Sequence, residues 1–398
     1  MSGRCTPSSD LPESPYATLL ARARQTRRLL SVHWELTYRC NEQCSHCYLD
    51  VLPPGAPTPG ELTTAECMDL LDEMAALGVL HLTLSGGEIL LRRDFFAIAE
   101  AARERGLALR LFTNGTLIKE PVADRIAALY PYSVEISVYG AHAATHDAIT
   151  RRPGSFALTL RAFRLLQARR VRTVFKTPLM RENVRQIHAL KALAAQLGAR
   201  FRYDLTITPK NSGDPAPLRH RLTYEDLLWF FRETLHPSSI VERPLDDACR
   251  TCNVGRNALV IRPNGEVYPC MEIPLRVGSV RAAPLRTIWE EAAVWRELDH
   301  LTLGDLPVCR TCTLRGLCLR CHGAAQREHG NLRAPATVNC LQALARRQVL
   351  VERGADAAAY PIPPHLETLA TGASPAAAMD SHSTVAFIPL SALEECEP

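Results

Sequence analysis

Apolar and polar side chains alternate along six short segments of this chain, and stretches with helical spacing separate these segments. Strands are predicted near residues 33–38, 80–85, 108–113, 133–138, 171–177 and 201–208. Helices are predicted over 63–77, 94–105, 119–129, 157–169 and 183–197. Strands that alternate with helices pair in parallel, so the pattern predicts either an open sheet or a barrel.

The polar faces of the predicted strands favour a barrel. Glu135, Ser137 and Tyr139 share one face of the fourth strand, and Arg202 and Asp204 share one face of the sixth. Strands that helices cover on both faces read as near-continuous apolar runs, whereas here one face is polar. We therefore predict an α/β fold with a partial (β/α)6 barrel, similar to a TIM barrel, around a wet lumen. An open doubly wound sheet with a polar crevice is the alternative.

Length and charge limit the possible roles of the chain. With 398 residues and 46% hydrophobic residues, it is long enough for two domains. The net charge of +4 is too small to indicate a nucleic-acid partner. The sequence has neither an apolar run of membrane-spanning length nor the apolar core of a signal peptide. We therefore expect a cytoplasmic protein with no membrane and no nucleic-acid partner.

Fourteen cysteines in such a compartment need a reason other than disulfides. Cys40, Cys44 and Cys47 form a CxxxCxxC pattern that Tyr48 follows directly. Three soft thiolates on one loop can hold three corners of a [4Fe–4S] cluster and leave the fourth iron open to a ligand. A structural zinc site with a distant fourth ligand is the alternative. Eight further cysteines lie between residues 249 and 340, and the remaining three are interpreted as structural or incidental: Cys5, Cys67 and Cys396.

The predicted second strand ends in Gly86, Gly87 and Glu88. Two glycines allow a backbone to approach a ligand closely, and a carboxylate there can accept hydrogen bonds from an ammonium group. Following CxxxCxxC by one helix and one strand, this motif resembles the GGE motif of the radical S-adenosylmethionine (SAM) enzymes. The resemblance implies that the open iron chelates SAM and that the Gly86–Glu88 motif holds the amino group of SAM.

The same resemblance assigns further residues to the SAM site. It implies that Ser137 contacts the ribose or carboxylate of SAM, that Lys176 neutralises this carboxylate, and that Tyr48 packs beside the adenine. Asn114 lies in a Thr-Asn-Gly sequence that closes the predicted third strand on the same rim. Each of these residues also fits an ordinary role in a strand end or loop.

The downstream cysteines resemble the SPASM extension of radical SAM enzymes, although the interval from Cys318 to Cys321 is one residue shorter than that pattern. The resemblance implies two auxiliary [4Fe–4S] clusters, making three in all. The first would be held by Cys249, Cys252, Cys270 and Cys321. The second would be held by Cys309, Cys312, Cys318 and Cys340. Two zinc sites with four cysteines each are the alternative that the spacing leaves open.

Together these motifs predict an enzyme that cleaves SAM reductively to a 5′-deoxyadenosyl radical and oxidatively modifies a substrate. The resemblance favours a ribosomally made peptide or a protein side chain, with a small peptide-recognition partner and a reducing partner such as ferredoxin or flavodoxin. The alternatives are modification of a small molecule such as a tetrapyrrole, and a non-catalytic zinc- or iron-binding interaction protein. Tyr139 and Asp204 are candidate proton acceptors or substrate contacts.

The distribution of motifs predicts four regions. Residues 1–31 form a basic N-terminal segment, 32–235 the partial barrel, 236–345 the cysteine-rich domain, and 346–398 a C-terminal extension that we expect to be partly disordered.

Overall fold

Six parallel strands form the centre of the computed structural model, which describes residues 14–235 and 246–367. They are β1 (Ser31–Thr37), β2 (His81–Gly86), β3 (Ala108–Thr113), β4 (Ser133–Ser137), β5 (Thr173–Pro178) and β6 (Arg200–Asp204). Each strand pairs with the next in parallel, in unbroken sequence order. A doubly wound sheet would reverse this order at a switch point. The barrel prediction is therefore confirmed over the alternative.

Contacts between strands that are not neighbours show that this sheet curves. The rings of His33 on β1 and Phe112 on β3 lie 5.6 Å apart. The guanidinium of Arg202 on β6 lies 3.9 Å from the carboxylate of Glu135 on β4. In a flat sheet, strands two apart are about 9–10 Å from each other. The inward faces therefore meet across a lumen, and its lining is polar, as the alternation predicts.

The outward face of the barrel is apolar and packs against helices. On β1, for example, Val32, Trp34 and Leu36 are buried in the main hydrophobic core together with helix residues such as Leu71 and Phe163. Burial of each such side chain contributes about 1.5–3 kcal/mol. The covering helices are α2 (Thr64–Leu77), α3 (Phe95–Glu104), α4 (Glu120–Ala128), α5 (Ala143–Thr150), α6 (Ser155–Ala168) and α7 (Ile187–Gln196).

The helix α2 and the strand β6 show how local sequence sets the ends of an element. At the start of α2, Thr63 and Glu66 form a reciprocal capping box, and Gly78 ends the helix in a left-handed conformation with φ 75°. The predicted sixth strand reaches residue 208, but β6 ends at Asp204. There the Asp204 carboxylate accepts a hydrogen bond from the Thr206 backbone N–H at 2.8 Å, which turns the chain out of the strand.

The N-terminal helix α1 (Pro15–Gln25) lies at the end of the barrel where the strands begin. Its Tyr16 hydroxyl is 2.9 Å from the Nε2 atom of His81, the first residue of β2. The helix α1 therefore contacts this end of the barrel, and the opposite end carries the predicted motifs.

The C-terminal part of the chain continues the same sheet. The strand β7 (Ala258–Ile261) pairs in parallel with β1, and β8 (Glu266–Tyr268) and β9 (Gly278–Ser279) follow in antiparallel order. The helix that links the barrel to this part is α8 (Tyr224–Thr234). The helices of the C-terminal part are α9 (Leu285–Glu291), α10 (Ala293–Asp299), α11 (His322–His329) and α12 (Thr337–Glu352). No helix within residues 14–235 and 246–367 is long and apolar enough to cross a membrane.

The predicted domain boundary at residue 345 falls inside α12. Buried Val349 and Leu350 continue the apolar face that begins with Val338, so the helix runs on past this point. The predicted boundary at residue 235 adjoins 236–245, which lie outside the described residues, as do 368–398 of the predicted extension.

Candidate active site

The CxxxCxxC loop leaves the carboxyl end of β1 and is held at both ends. The Cys40 backbone N–H donates to the Leu52 carbonyl at 2.8 Å, and the Ser45 N–H donates to the carbonyl of Ile149, near the end of α5, at 2.9 Å. All three thiols of the loop are free and only partly exposed. Burial raises the pKa of Cys40 to about 12 and that of Cys47 to about 11, and the charges of Glu88, Glu42 and Cys47 add to the shift at Cys40.

This donor set fits the predicted cluster. Burial raises the pKa of Cys44, and the charges of Cys40 and Cys47 raise it further. The three sulfurs are therefore close to one another. Soft thiolates in a sheltered loop are the ligands that iron–sulfur clusters use. Within the described residues, no group of three or more His, Cys, Asp or Glu side chains is arranged to hold a single metal ion.

Gly86 and Gly87 seat this loop on the end of β2. The N–H groups of Gly87 and Glu88 donate to the carbonyls of Thr37 and Arg39, both at 2.8 Å. A Cβ on Gly86 would lie 2.3 Å from the Thr37 oxygen, and one on Gly87 would lie 2.3 Å from the Arg39 oxygen. The sequence predicts a close approach of these glycines to a ligand; the close approach in the structure is to the backbone that leads into the cysteine loop.

We expect Gly87→Ala to lose iron from the CxxxCxxC loop, because the new Cβ would push Arg39 and the adjoining Cys40 away from β2. Iron analysis after anaerobic reconstitution should show a loss of about four irons per chain, one cluster. Gly55→Ala is the matched control, because Gly55 lies on the same connection with nothing within 4 Å of its would-be Cβ. Equal iron in the two variants would contradict the proposed seating role.

Glu88 is fully buried and its carboxylate is committed to protein donors. It accepts hydrogen bonds from the Thr113 hydroxyl at 2.8 Å and from the backbone N–H groups of Asn114 at 2.8 Å and Leu90 at 3.1 Å. Burial raises its pKa, and these hydrogen bonds oppose the shift. Glu88 thus ties the end of β2 to the end of β3, and its predicted contact with the SAM amino group stays a prediction.

Replacement of Glu88 by Gln is expected to lower the free energy of unfolding by about 1–3 kcal/mol, because an amide would turn a donor toward buried donors. Urea unfolding of the apoprotein measures this difference. Glu104→Gln is the control, since Glu104 is exposed at the end of α3. Equal stability of the two variants would show that the Glu88 carboxylate does not stabilise the contact between the ends of β2 and β3.

Asn114 connects the end of β3 to the cysteine loop. Its Oδ1 accepts from the Thr116 N–H at 2.9 Å, and its Nδ2 donates to Oδ1 of Asn41, inside the CxxxC segment, at 2.8 Å. Arg152 donates to the Thr116 hydroxyl at 3.1 Å and completes this network. Asn114 is therefore on the predicted rim, as a support of the loop.

Ser137 and Lys176 lie side by side at the ends of β4 and β5, where they are paired in register. The Lys176 ammonium is 4.0 Å from the Glu135 carboxylate and 3.7 Å from the centre of the Phe112 ring. Burial lowers the pKa of Lys176, and the charge of Glu135 opposes that shift. Both predicted SAM contacts are thus on the rim of the lumen, and their roles stay predictions.

Tyr48 points its hydroxyl toward the C-terminal domain. It donates to Glu35 on β1 at 2.7 Å and lies 3.6 Å from the Met271 sulfur, and Tyr38 donates to the other Glu35 oxygen at 3.2 Å. Burial raises the pKa of Glu35. The residue after Cys47 therefore touches the residue after Cys270, which links the two cysteine-bearing parts of the chain.

The predicted auxiliary cysteines gather in two places. Cys252, Cys270 and Cys321 form one group. Burial raises the pKa of both Cys270 and Cys321, and the charge of Cys252 adds to each shift. Cys249 takes part in a disulfide in this structure, so its predicted place in this group stays untested.

The second group contains Cys309, Cys312, Cys318 and Cys340. Burial raises the pKa of Cys340, and the charges of the other three thiols follow as causes. Three of these side chains, those of Cys312, Cys318 and Cys340, pack beside buried leucines of the loop and α12 in a small core of their own. The structure thus brings together the same cysteines that the resemblance assigns to the second cluster.

Two carboxylates near these groups, the buried Glu42 and the partly exposed Glu272, were missed in the sequence. Glu42 lies between two of the loop cysteines, and the Cys44 thiol donates to its Oε2 at 3.7 Å; burial raises its pKa to about 8. Glu272 follows Cys270 by two residues, and its Oε2 has no hydrogen-bond partner among the described residues. Each of these carboxylates follows a cysteine by two residues, and that spacing was the signal in the sequence that could have found them.

The two predicted catalytic candidates lie in different surroundings. Asp204 is exposed where β6 leaves the barrel, and its charge contributes to the raised pKa of Glu272, after burial. Tyr139 is buried beside Cys44, a placement that argues against a direct substrate contact.

Comparison with known proteins gives two family matches. Residues 34–194 match the radical SAM superfamily, and residues 249–313 match an iron–sulfur cluster-binding domain named SPASM. The first match runs from within β1 through β5 and includes the CxxxCxxC loop, and the second spans five of the eight downstream cysteines.

The chain is also similar to individual proteins, two of them in sequence and one in fold. The chain is 30% identical to an AdoMet-dependent heme synthase of Methanosarcina barkeri over 75% of this chain and 93% of that protein. It is 31% identical to the mycofactocin maturase MftC of Mycobacterium tuberculosis over 67% of this chain and 71% of that protein. Streptococcus suis SuiB bound to its precursor peptide SuiA shares the fold, with a TM-score of 0.61 at 15% identity over 85% of this chain and 84% of SuiB.

Proposed function

Because this chain belongs to the radical SAM superfamily and carries a SPASM domain, we propose that it oxidatively modifies a ribosomally made peptide or a protein side chain. The family's cofactors are a [4Fe–4S] cluster with SAM and auxiliary iron–sulfur clusters. When bound, they supply a 5′-deoxyadenosyl radical that removes a hydrogen atom from the substrate. The remaining tasks fall to the side chains of this protein.

The observation that carries this proposal is the arrangement of the cysteines around one barrel. Cys40, Cys44 and Cys47 lie on a loop at the carboxyl end of the strands, where parallel barrels place their active sites. The second downstream group has the four thiols of a fully ligated cluster. The first group brings together three free thiols and is joined to the barrel through the contact between Tyr48 and Met271. We assign SAM binding to the loop and electron transfer to the downstream groups.

The polar rim would bind and orient SAM and the substrate. Lys176 provides a cation for the SAM carboxylate, at the cost of its contact with Glu135. Ser137 provides a hydroxyl beside it, and the backbone of the Gly86–Glu88 motif fixes the loop that faces them. To Asp204 and Glu272, whose charges interact, we assign the acceptance of the proton that an oxidised substrate releases.

The peptide assignment is supported by the likeness to a mycofactocin maturase and by the shared fold of a protein bound to its precursor peptide. A small peptide-recognition partner and a one-electron donor such as ferredoxin or flavodoxin belong to this proposal. The cytoplasm, where such donors are reduced, is the proposed compartment.

A second candidate is oxidation of a small molecule such as a tetrapyrrole. The likeness to an AdoMet-dependent heme synthase favours it, since it extends over 93% of that protein. The cationic groups that line the lumen, Arg110, Lys176 and Arg202, are suited to carboxylate side chains of such a substrate.

Substrate-dependent formation of 5′-deoxyadenosine separates these two candidates. The reconstituted enzyme, with SAM and dithionite, would be incubated with short peptides encoded beside its gene or with propionate-bearing tetrapyrroles. We expect a peptide to increase the rate and to change in mass. Stimulation by the tetrapyrroles alone would replace the first candidate with the second, and no SAM cleavage under any condition would contradict both.

A further inference from the structure

Three cationic side chains surround one buried carboxylate inside the barrel. The carboxylate is that of Glu135 on β4, which is 3% exposed. It lies 3.3 Å from Nε of Arg110, 3.9 Å from Nη1 of Arg202 and 4.0 Å from Nζ of Lys176. Among the described residues, no other carboxylate lies within 4.0 Å of any of these cations. The cations therefore outnumber the carboxylate that they share.

These three cations remain open to a ligand. The side chain of Arg110 is 31% exposed, that of Lys176 is 37% exposed, and that of Arg202 is 47% exposed. The Nε atom of Arg110 is itself buried and has no hydrogen-bond partner among the described residues, so its contact with Glu135 is an ion pair alone. A guanidinium carries five N–H donors, and Arg110 therefore has donors left for a second anion.

His33 on β1 adds a neutral hydrogen-bonding group at the same level of the barrel. It is paired in register with Thr83 on β2, which is paired in turn with Arg110 on β3. The His33 ring lies 5.6 Å from the ring of Phe112, and the Lys176 ammonium lies 3.7 Å from the same ring. The Nε2 atom of His33 is buried and has no hydrogen-bond partner within the part of the chain that the structure describes. Burial lowers the pKa of His33 to about 3, and the charges of Lys176 and Arg110 lower it further, so the ring is neutral.

The charged cluster lies deeper in the barrel than the rim that is assigned to SAM. Glu135 precedes Ser137 by two residues on β4, a distance of about 7 Å along the strand. Lys176 is paired in register with Ser137 and is assigned to the SAM carboxylate, which leaves two guanidinium groups for another anion. Asp204 is exposed and accepts the Thr206 N–H, and its charge acts on Lys176.

We propose that Arg110, Arg202 and His33 form a carboxylate-binding subsite that holds an acidic side group of the substrate. The inference rests on the proposed function, since it takes the lumen as the place where the substrate binds. A carboxylate there can accept the hydrogen bonds that Nε of Arg110 and Nε2 of His33 do not make within the protein. The bound carboxylate anchors the end of the side group below the rim, so the carbon atoms that carry it lie beside SAM. A glutamate side chain and the propionate group of a tetrapyrrole share this chemistry.

Binding of small probes to the reconstituted enzyme tests the proposal. SAM is present and no reductant is added, so that binding is measured without turnover. One pair of probes is N-acetylglutamate α-amide and its neutral counterpart, N-acetylglutamine α-amide. The other pair is a propionate-bearing tetrapyrrole and its methyl ester. Isothermal titration calorimetry measures each dissociation constant, and we expect the acid in at least one pair to bind about tenfold more tightly than its neutral counterpart.

Arg110→Gln and Arg202→Gln should each weaken binding of the acid about tenfold and leave binding of the neutral probe unchanged, because each variant removes one of the two charges. Arg202 is half-exposed, so Arg202→Gln is the variant that decides if Arg110→Gln does not fold. The matched control is Arg125→Gln, which removes an exposed guanidinium from α4. It should keep the preference for the acid.

The two pairs of probes also identify the source of the carboxylate. A preference within the glutamate pair supports the subsite with a peptide substrate, and a preference within the tetrapyrrole pair alone supports it with the second candidate. No preference in either pair, or a preference that Arg202→Gln keeps as Arg125→Gln does, overturns the subsite. These outcomes do not depend on SAM cleavage. An enzyme that forms 5′-deoxyadenosine with its substrate but shows no preference for the acids contradicts the subsite and leaves the proposed function standing.

Discussion

Replacement of Cys40, Cys44 and Cys47 by alanine is expected to abolish reductive cleavage of SAM. These three thiols share one sheltered loop at the carboxyl end of the barrel, and no other described cysteine lies within that loop. A [4Fe–4S] cluster cannot be held without them, so 5′-deoxyadenosine should fall to the background of a reaction without enzyme. Chromatographic quantification of 5′-deoxyadenosine under reducing, anaerobic conditions measures the effect.

The control is Cys67→Ala, which removes a buried free thiol that lies in the main core and outside the three cysteine groups. That variant should retain SAM cleavage. The assignment of the loop would be contradicted if the triple variant cleaved SAM as fast as the wild type.

Replacement of Cys309 and Cys312 by alanine is expected to separate SAM cleavage from product formation. Both thiols belong to the second downstream group with Cys318 and Cys340, apart from the CxxxCxxC loop. Cleavage of SAM should therefore continue at a reduced rate. The substrate radical would lose its route for releasing an electron, so the amount of product per SAM cleaved should fall by at least about tenfold. A tenfold fall corresponds to an increase of about 1.4 kcal/mol in the activation free energy of the oxidation step.

The measurement is the ratio of modified substrate to 5′-deoxyadenosine, by mass spectrometry. Circular dichroism must first show that the variant is folded, because Cys312 packs in a small core with Leu314 and Leu317. A folded variant with the wild-type ratio would show that this group takes no part in the oxidation.

The barrel could be predicted because its signals are local. The polar faces of β4 and β6 follow from the period of two in a strand, and Thr63 and Gly78 bound α2 through short-range capping. The helix α5 was absent from the predicted elements, since its eight residues mix apolar, polar and aromatic side chains. The strands β7 to β9 are only four, three and two residues long, too short for any periodicity to show.

The candidate site was predicted in composition, but its contacts were only partly predicted. The cysteines stand out through their spacing, and the structure gathers two predicted groups in space. The roles of Glu88 and Tyr48 depend on partners 25 and 223 residues away, Thr113 and Met271. Such contacts arise only when the strands assemble, so a residue's neighbours in sequence carry no signal for them.

The most direct test of the iron–sulfur assignment is the metal content of the wild-type protein, purified and reconstituted without oxygen. Three clusters of four irons predict about 12 irons per chain, with acid-labile sulfide in equal amount and almost no zinc. Mostly zinc, at one to three ions per chain, would contradict the assignment and would favour a structural metal-binding protein.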